Sequence, residues 1–122
     1  INFSKEHIKF LEIPIETKET GGSLFDKLSD AGAKLCVETL DKLEKKEITP
    51  IPQGETTTAY AKMLHKQVGN IDWTKSAVEI ERLIRGLTPW PSAYTNWNGK
   101  VMKIWDAQAL DGASDVLPGT IA

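Results

Sequence analysis

SAVEIERLIRGLTPWPSAYTNWNGKVMKIW, residues Ser76 to Trp105, passes from a helical apolar period to an alternating one across a single proline-rich joint. Ser76 and Glu79 have capping-box spacing, in which a hydroxyl and a carboxylate each satisfy a free amide at a helix start. Ala77, Ile80, Leu83, Ile84 and Leu87 then recur at the spacing of one helix face. That helix must stop near Thr88, because Pro89 disfavours helical geometry in the residue before it and Gly86 is a natural terminator. Beyond Pro89-Trp90-Pro91, apolar residues alternate on either side of Asn98-Gly99, the pair best suited to a type I′ turn with two positive φ angles. The pattern predicts a hairpin from Ala93 to Leu110. Tyr94, Thr95 and Trp97 face Val101, Lys103 or Ile104, and Trp105 in a register that the pattern leaves open.

Upstream, TGGSLFDKLSDAGAKLCVETLDKLEKKE, starting at Thr20, predicts a long amphipathic helix with Thr20 or Ser23 as its cap. Phe25, Leu28, Leu35, Cys36, Thr39, Leu40 and Leu43 fall close to one face. Lys42, Lys45 and Lys46 suit its carbonyl-rich end, and Gly32 in its interior costs about 1 kcal/mol relative to alanine unless a neighbour packs there. Ahead of the helix, Ile8 to Glu16 alternates as a short strand would, and Pro14 assigns it to an edge because proline has no amide to donate. Between the helices, Pro50, Pro52, Gly54 and a threonine run give no sustained period, so the stretch reads as a connection between two bodies. The tail VLPGTIA has the pattern of another strand beginning.

The 122 residues are 40% hydrophobic and 26% charged, a globular composition with room for one domain or pieces of two. No run approaches the roughly 20 apolar residues of a membrane span, and INFSKEHIKF lacks the apolar core of a secretory signal. The single Cys36 makes no internal disulfide, and His7 and His65 lie too far apart to propose a metal site. A cytoplasmic setting, no membrane and no metal are the expectations. The net charge of −2 hides an asymmetry. Residues 1–49 carry eight Lys and Arg against ten Asp and Glu, whereas residues 74–105 carry five against two.

Catalytic chemistry is hard to find. Gly21-Gly22 belongs to neither phosphate-loop pattern and reads as a turn former. Cys36 sits on the apolar stripe as a buried structural thiol. Asp26, Asp30, Glu38 and Asp41 alternate with lysines as a solvated face does. The one collection with binding chemistry is Lys75, Arg82, Arg85, Lys100 and Lys103, interleaved with Trp90, Tyr94, Trp97 and Trp105. It suits phosphate neutralisation and base stacking.

Three runs carry a resemblance: ETGGSLFDKLSDAGAKLCVETLDKLEKKEITPIPQ, AYAKMLHKQVGNIDWTKSAVEIERLIRGLTPWPSAYTNWNGKVMKIWDAQAL, and PGTI. Together they resemble the later part of the methionyl-tRNA formyltransferase family, most specifically through IDW, LIRGLTPWP and the Asn-Gly to Lys-Ile-Trp hairpin. The resemblance implies an α+β fold in three parts. Residues 1–49 are then the C-terminal end of a Rossmann-like formyltransferase catalytic domain, contributing a strand and the long helix. Residues 50–73 are the interdomain linker, and residues 74–122 begin a truncated C-terminal tRNA-binding domain, a helix and antiparallel hairpin of an incomplete OB-like open barrel.

It further implies a parent enzyme that moves a formyl group from 10-formyltetrahydrofolate to the amino group of initiator Met-tRNA in translation initiation. The partners implied are that tRNA and the remainder of the polypeptide. The family's catalytic Asn, His and Asp lie in upstream motifs absent here, so no catalytic residue is assigned, and the chain alone is expected to be inactive. The family's linker pattern, Tyr-Ala-x-Lys-Leu-x-Lys-Glu, matches at Lys66 and departs at Met63 and Gln67, with Lys62 adjacent. Expected tRNA contacts are Lys62, Lys66, Arg82, Arg85, Lys100 and Lys103. Two other readings remain: a small structural or interaction module that oligomerises through its exposed incomplete halves, and a segment of a sugar-nucleotide N-formyltransferase.

Overall fold

The computed structural model describes residues 6–7, 11–52, 55, 59–112 and 115–121. In chain order these form β1 (Glu6–His7), α1 (Gly21–Glu44), β2 (Ile51–Pro52), a 3₁₀ turn (Lys66–Gly69), α2 (Ala77–Gly86), β3 (Ala93–Trp97) and β4 (Lys100–Ile104). The result is an α+β arrangement of two helices and an antiparallel hairpin. Its residues divide into two compact units, Ile1–Ile15 with Phe25–Lys62 and Glu16–Leu24 with Met63–Ala122.

In the first unit β1 pairs antiparallel with β2, Glu6 opposite Pro52 and His7 opposite Ile51. The strand expected over Ile8 to Glu16 does not form across residues 11–16, which join no ladder, and residues 8–10 lie outside the described set. Pro14, lacking an amide, takes part only as an acceptor, its carbonyl oxygen 3.5 Å from Lys27 Nζ. Leu11 and Ile13 instead border an open groove of about 460 Å³ with Ala31 and Leu35 of α1. That is modest cover for a helix of 24 residues, none of which is fully buried. Phe25 is 71% exposed and Leu40 59%. Cys36 is exposed too, correcting the buried thiol expected from its place on the apolar stripe.

α1 ends on local chemistry. Glu47 N donates to Lys42 O at 2.9 Å and Lys46 N to Leu43 O at 3.0 Å, the paired bonds of a Schellman motif. Lys46 occupies the left-handed position at φ 58°, where glycine is the usual residue. Lys45 pairs with Asp41 at 2.8 Å across one exposed turn.

The second unit holds the core. α2 begins as its spacing predicts: Ser76 Oγ accepts from Glu79 N at 3.2 Å, and Glu79 Oε2 accepts from Ser76 N at 3.1 Å. Its apolar face delivers Ile84 and Leu87 to the interior, where they join Ile71 and Ala93 as the buried hydrophobic residues. Trp73, Ile80, Leu83 and Ile104 pack against this centre. Each fully buried aliphatic side chain contributes about 1.5–3 kcal/mol, so this small cluster outweighs the local caps.

The hairpin turns at Asn98 and Gly99, φ 48° and 73°, as a type I′ turn requires. Its register is Ala93–Ile104, Tyr94–Lys103, Thr95–Met102, Asn96–Val101 and Trp97–Lys100. The ladder stops at Ile104, short of the expected Leu110, because residues 105–110 find no strand to pair with among the described residues.

The expected linker also proves partly structured. Beyond the 3₁₀ turn, Ile71 N donates to Tyr94 O at 2.9 Å, and the Trp73 indole donates to Thr95 Oγ1 at 3.0 Å. Residues 69–73 thus line the hairpin and supply two apolar side chains to the centre. The tail forms a turn rather than the expected strand, Thr120 N donating to Leu117 O at 3.1 Å. There Gly119 lies against the Trp73 ring, so close that a Cβ would meet it at 3.2 Å. Ala122 and residues 53–54, 56–58 and 113–114 lie outside the described set.

Candidate nucleic-acid interface

The proline-rich joint positions everything around it. Thr88-Pro89 and Trp90-Pro91 are both cis. Ser92, 2% exposed, holds φ 74°. It is kept there by its amide on Leu87 O at 3.0 Å and its hydroxyl on Pro89 O at 2.9 Å. Gly69 touches the same turn so closely that a Cβ would stand 2.1 Å from Ser92 O. Between the two prolines Trp90 points outward, 60% exposed.

α1 starts against this joint. Thr20 is the cap, its Oγ1 accepting from Ser23 N at 3.1 Å while its own amide donates to Ser23 Oγ at 3.0 Å. Gly22 N donates to Thr88 O at 2.8 Å. A Cβ on Gly21 would meet Gly86 O at 2.3 Å, and one on Gly22 would meet the Pro89 ring at 2.7 Å. The double glycine is therefore a close-approach device. The Gly22 amide serves the protein's own Thr88 carbonyl.

The expected basic contacts separate into three kinds. Arg82 is exposed on α2 and free to meet an anion. Arg85, three residues on, is largely committed. Its Nε donates to Glu81 Oε1 at 2.9 Å and its Nη1 to the Glu19 carbonyl at 2.7 Å, with the side chain 22% exposed. Lys100 and Lys103 lie on β4 but face opposite ways. Lys100 shares a face with Trp97, which is 54% exposed, and Lys103 shares the other with Tyr94. Lys103 Nζ stands 5.4 Å from the centre of the Trp105 ring, a cation–π contact beside an exposed aromatic. Lys62 closes the first unit and Lys66 opens the 3₁₀ turn, both exposed.

Acidic groups sit at the other end of α2. Hydrogen bonds from the Thr74 hydroxyl and amide hold the Asp72 carboxyl below its ordinary value, and those from the Ser76 hydroxyl and amide do the same for Glu79. Both remain ionised at neutral pH. Exposed tryptophans with unpaired cations beside them can neutralise phosphates and stack on bases. Among the described residues no group of His, Cys, Asp and Glu is arranged to hold a metal ion. No helix of the described residues is long and apolar enough to cross a membrane. Sequence reasoning missed the bond from Arg85 to Glu19, whose partners lie 66 positions apart, and the seat of Gly69 on Ser92.

Residues 63–122 match the family model described as formyl transferase, C-terminal domain. Relatives named methionyl-tRNA formyltransferase extend the likeness upstream. The one from Lachnospira eligens is 56% identical over 105 residues, covering 86% of this chain and 33% of that protein. The one from Agathobacter rectalis is 58% identical over 103 residues, 84% and 33% respectively. The Marinobacter nauticus protein is 43% identical over 111 residues, 91% and 36%. The chain spans about a third of the length of these relatives. Over residues 63–122, just under half of its length, this chain is similar to the formyl transferase C-terminal domain.

Proposed function

We propose that the chain is part of a methionyl-tRNA formyltransferase, which moves a formyl group from 10-formyltetrahydrofolate to the amino group of initiator Met-tRNA in the cytoplasm. The observation carrying this is identity of 56% and 58% to methionyl-tRNA formyltransferases over more than four-fifths of the chain. In this reading residues 1–49 close a Rossmann-like catalytic domain, residues 50–73 link, and residues 74–122 open an OB-like barrel that holds the tRNA. The exposed apolar side chains of α1, Phe25 and Leu40 among them, support a catalytic-domain origin, since that face needs a sheet to cover it.

The contribution of this chain is tRNA positioning. Arg82, Lys66, Lys62, Lys100 and Lys103 neutralise phosphates, and Trp97 and Trp105 offer stacking surfaces beside two of the lysines. The groove bordered by Leu11 and Leu35 does not fit the formyl donor, because it offers the carboxylates of Asp30 and Glu38 but no side-chain amide or imidazole. The donor's site therefore belongs to the upstream part of the parent polypeptide, and no step of the transfer is assigned to this chain.

The test is a formylation assay with initiator Met-tRNA and 10-formyltetrahydrofolate. The full-length parent should turn over, the 122-residue chain alone should not, and Arg82→Ala in the parent should raise KM for the tRNA. A parent that formylates an amino sugar nucleotide and leaves Met-tRNA untouched would overturn the proposal.

A further inference from the structure

The start of α1 lies ahead of the linker in sequence, yet Glu16–Leu24 belongs with Met63–Ala122, and the matched family domain begins only at residue 63. Four contacts put it there. Arg85 Nη1 donates to the Glu19 carbonyl at 2.7 Å, and Gly22 N donates to Thr88 O at 2.8 Å. Gly21 presses on the Gly86 carbonyl and Gly22 on the Pro89 ring at separations that leave no room for a Cβ. Glu19 is itself only 8% exposed, and its carboxylate accepts from the Ser23 hydroxyl.

These contacts complement one another. The C-terminal end of α2 presents backbone carbonyls at Gly86 and Thr88, and a helix start presents amides that lack intrahelical acceptors. Only a residue without a side chain lets two backbones approach this closely. A guanidinium, anchored through Nε by Glu81, reaches across to the carbonyl just before the cap. This geometry requires glycine at both position 21 and position 22.

We propose that Glu19–Ser23 and the Arg85–Pro89 segment form a clasp that seats the head of α1 in the downstream module, and that Arg85 is its positioning residue. Arg85 then acts on the protein's own backbone and is not one of the groups meeting RNA phosphate. Glu16–Leu24, although ahead of the linker in sequence, are thereby held within the second unit by the clasp. The inference rests on these contacts and holds whatever the parent enzyme's substrate.

Hydrogen–deuterium exchange on the 122-residue chain tests it. Arg85→Ala should raise exchange of the amides in residues 19–24 roughly tenfold, as expected for loss of a bond from a charged donor. Gly21→Ala should raise exchange on the other side, in residues 86–92, although alanine is the better helix former. Arg82→Ala, on the same helix and exposed, should change neither region. If Arg85→Ala leaves residues 19–24 as protected as Arg82→Ala does, the clasp is refuted. Gly21→Ala that only increases protection along α1 would refute it equally.

Discussion

Replacing Gly69 by alanine tests how the core of the second unit is closed. The new Cβ would stand 2.1 Å from the Ser92 carbonyl oxygen and 3.2 Å from its carbon. Restoring ordinary contact requires the two backbones to part by about 1 Å or more. Neither has slack. Ser92 is held by bonds to Leu87 O and Pro89 O, and Ala93 beside it is fully buried. On the other side Ile71, two residues beyond Gly69, is tied to Tyr94 O at 2.9 Å and sits in the core. Overpacking of this kind costs about 1–3 kcal/mol, and losing the Ile71 bond adds about 1 kcal/mol. A total of roughly 3 kcal/mol is a large share of a domain's typical 5–15 kcal/mol. At about 4–8 °C per kcal/mol the midpoint should fall by 10 °C or more in thermal unfolding followed by far-UV circular dichroism. Gly32→Ala provides the contrast. Nothing lies within 4 Å of its added Cβ, and the helix interior should gain about 1 kcal/mol. A Gly69→Ala protein unfolding within about 0.5 kcal/mol of the parent would show that the Ser92 turn yields, and the reasoning would fail.

Three further outcomes are expected. Lys46→Gly should stabilise α1 by about 1 kcal/mol, read by urea titration, because it relieves a side chain from the left-handed position that closes the helix. Ser76→Ala should cost about 1 kcal/mol at neutral pH through loss of the cap. Because the Glu79 carboxyl is lowered in the folded chain from its ordinary 4.5, the box's ionic contribution is present above that value and lost as pH falls through the folded one. The gap between Ser76→Ala and the parent should therefore narrow in acid, and a gap constant down to pH 3 would contradict this account. Finally, Arg82→Ala should make the salt dependence of initiator tRNA binding shallower by roughly one unit in log–log slope, and an unchanged slope would remove Arg82 from the phosphate contacts.

What the sequence discloses depends on how far apart the interacting residues are. The Ser76–Glu79 box, the stop before Pro89 and the Asn98-Gly99 turn were all legible, because each is settled within a few residues. The hairpin register was not: apolar and aromatic side chains occur on both faces of β3 and β4, so alternation does not choose between pairings. Cys36 read as buried because helical period reports which residues share a face, and whether anything covers that face is a tertiary fact. Arg85 read as a free cation for the same reason, its partner carbonyl lying 66 positions away. Across residues 11–16 the strand expected over Ile8 to Glu16 failed, its alternation having no partner among the described residues to enforce it. The pairing found instead, Glu6–His7 with Ile51–Pro52, carries no pattern long enough to notice.

Trp73 gives the molecule an optical handle. Of the four tryptophans, Trp90, Trp97 and Trp105 are each more than half exposed, and only Trp73 packs against the core. Its indole is tied to β3 through Thr95 and roofed by the Gly119 turn, so a single chromophore touches three stretches far apart in sequence. The blue edge of the intrinsic emission should belong to this ring, and its red shift should register release of the tail before the hairpin opens. Replacing the three exposed indoles with phenylalanine would leave a chain that reports the integrity of its second unit through one native residue, with no attached dye.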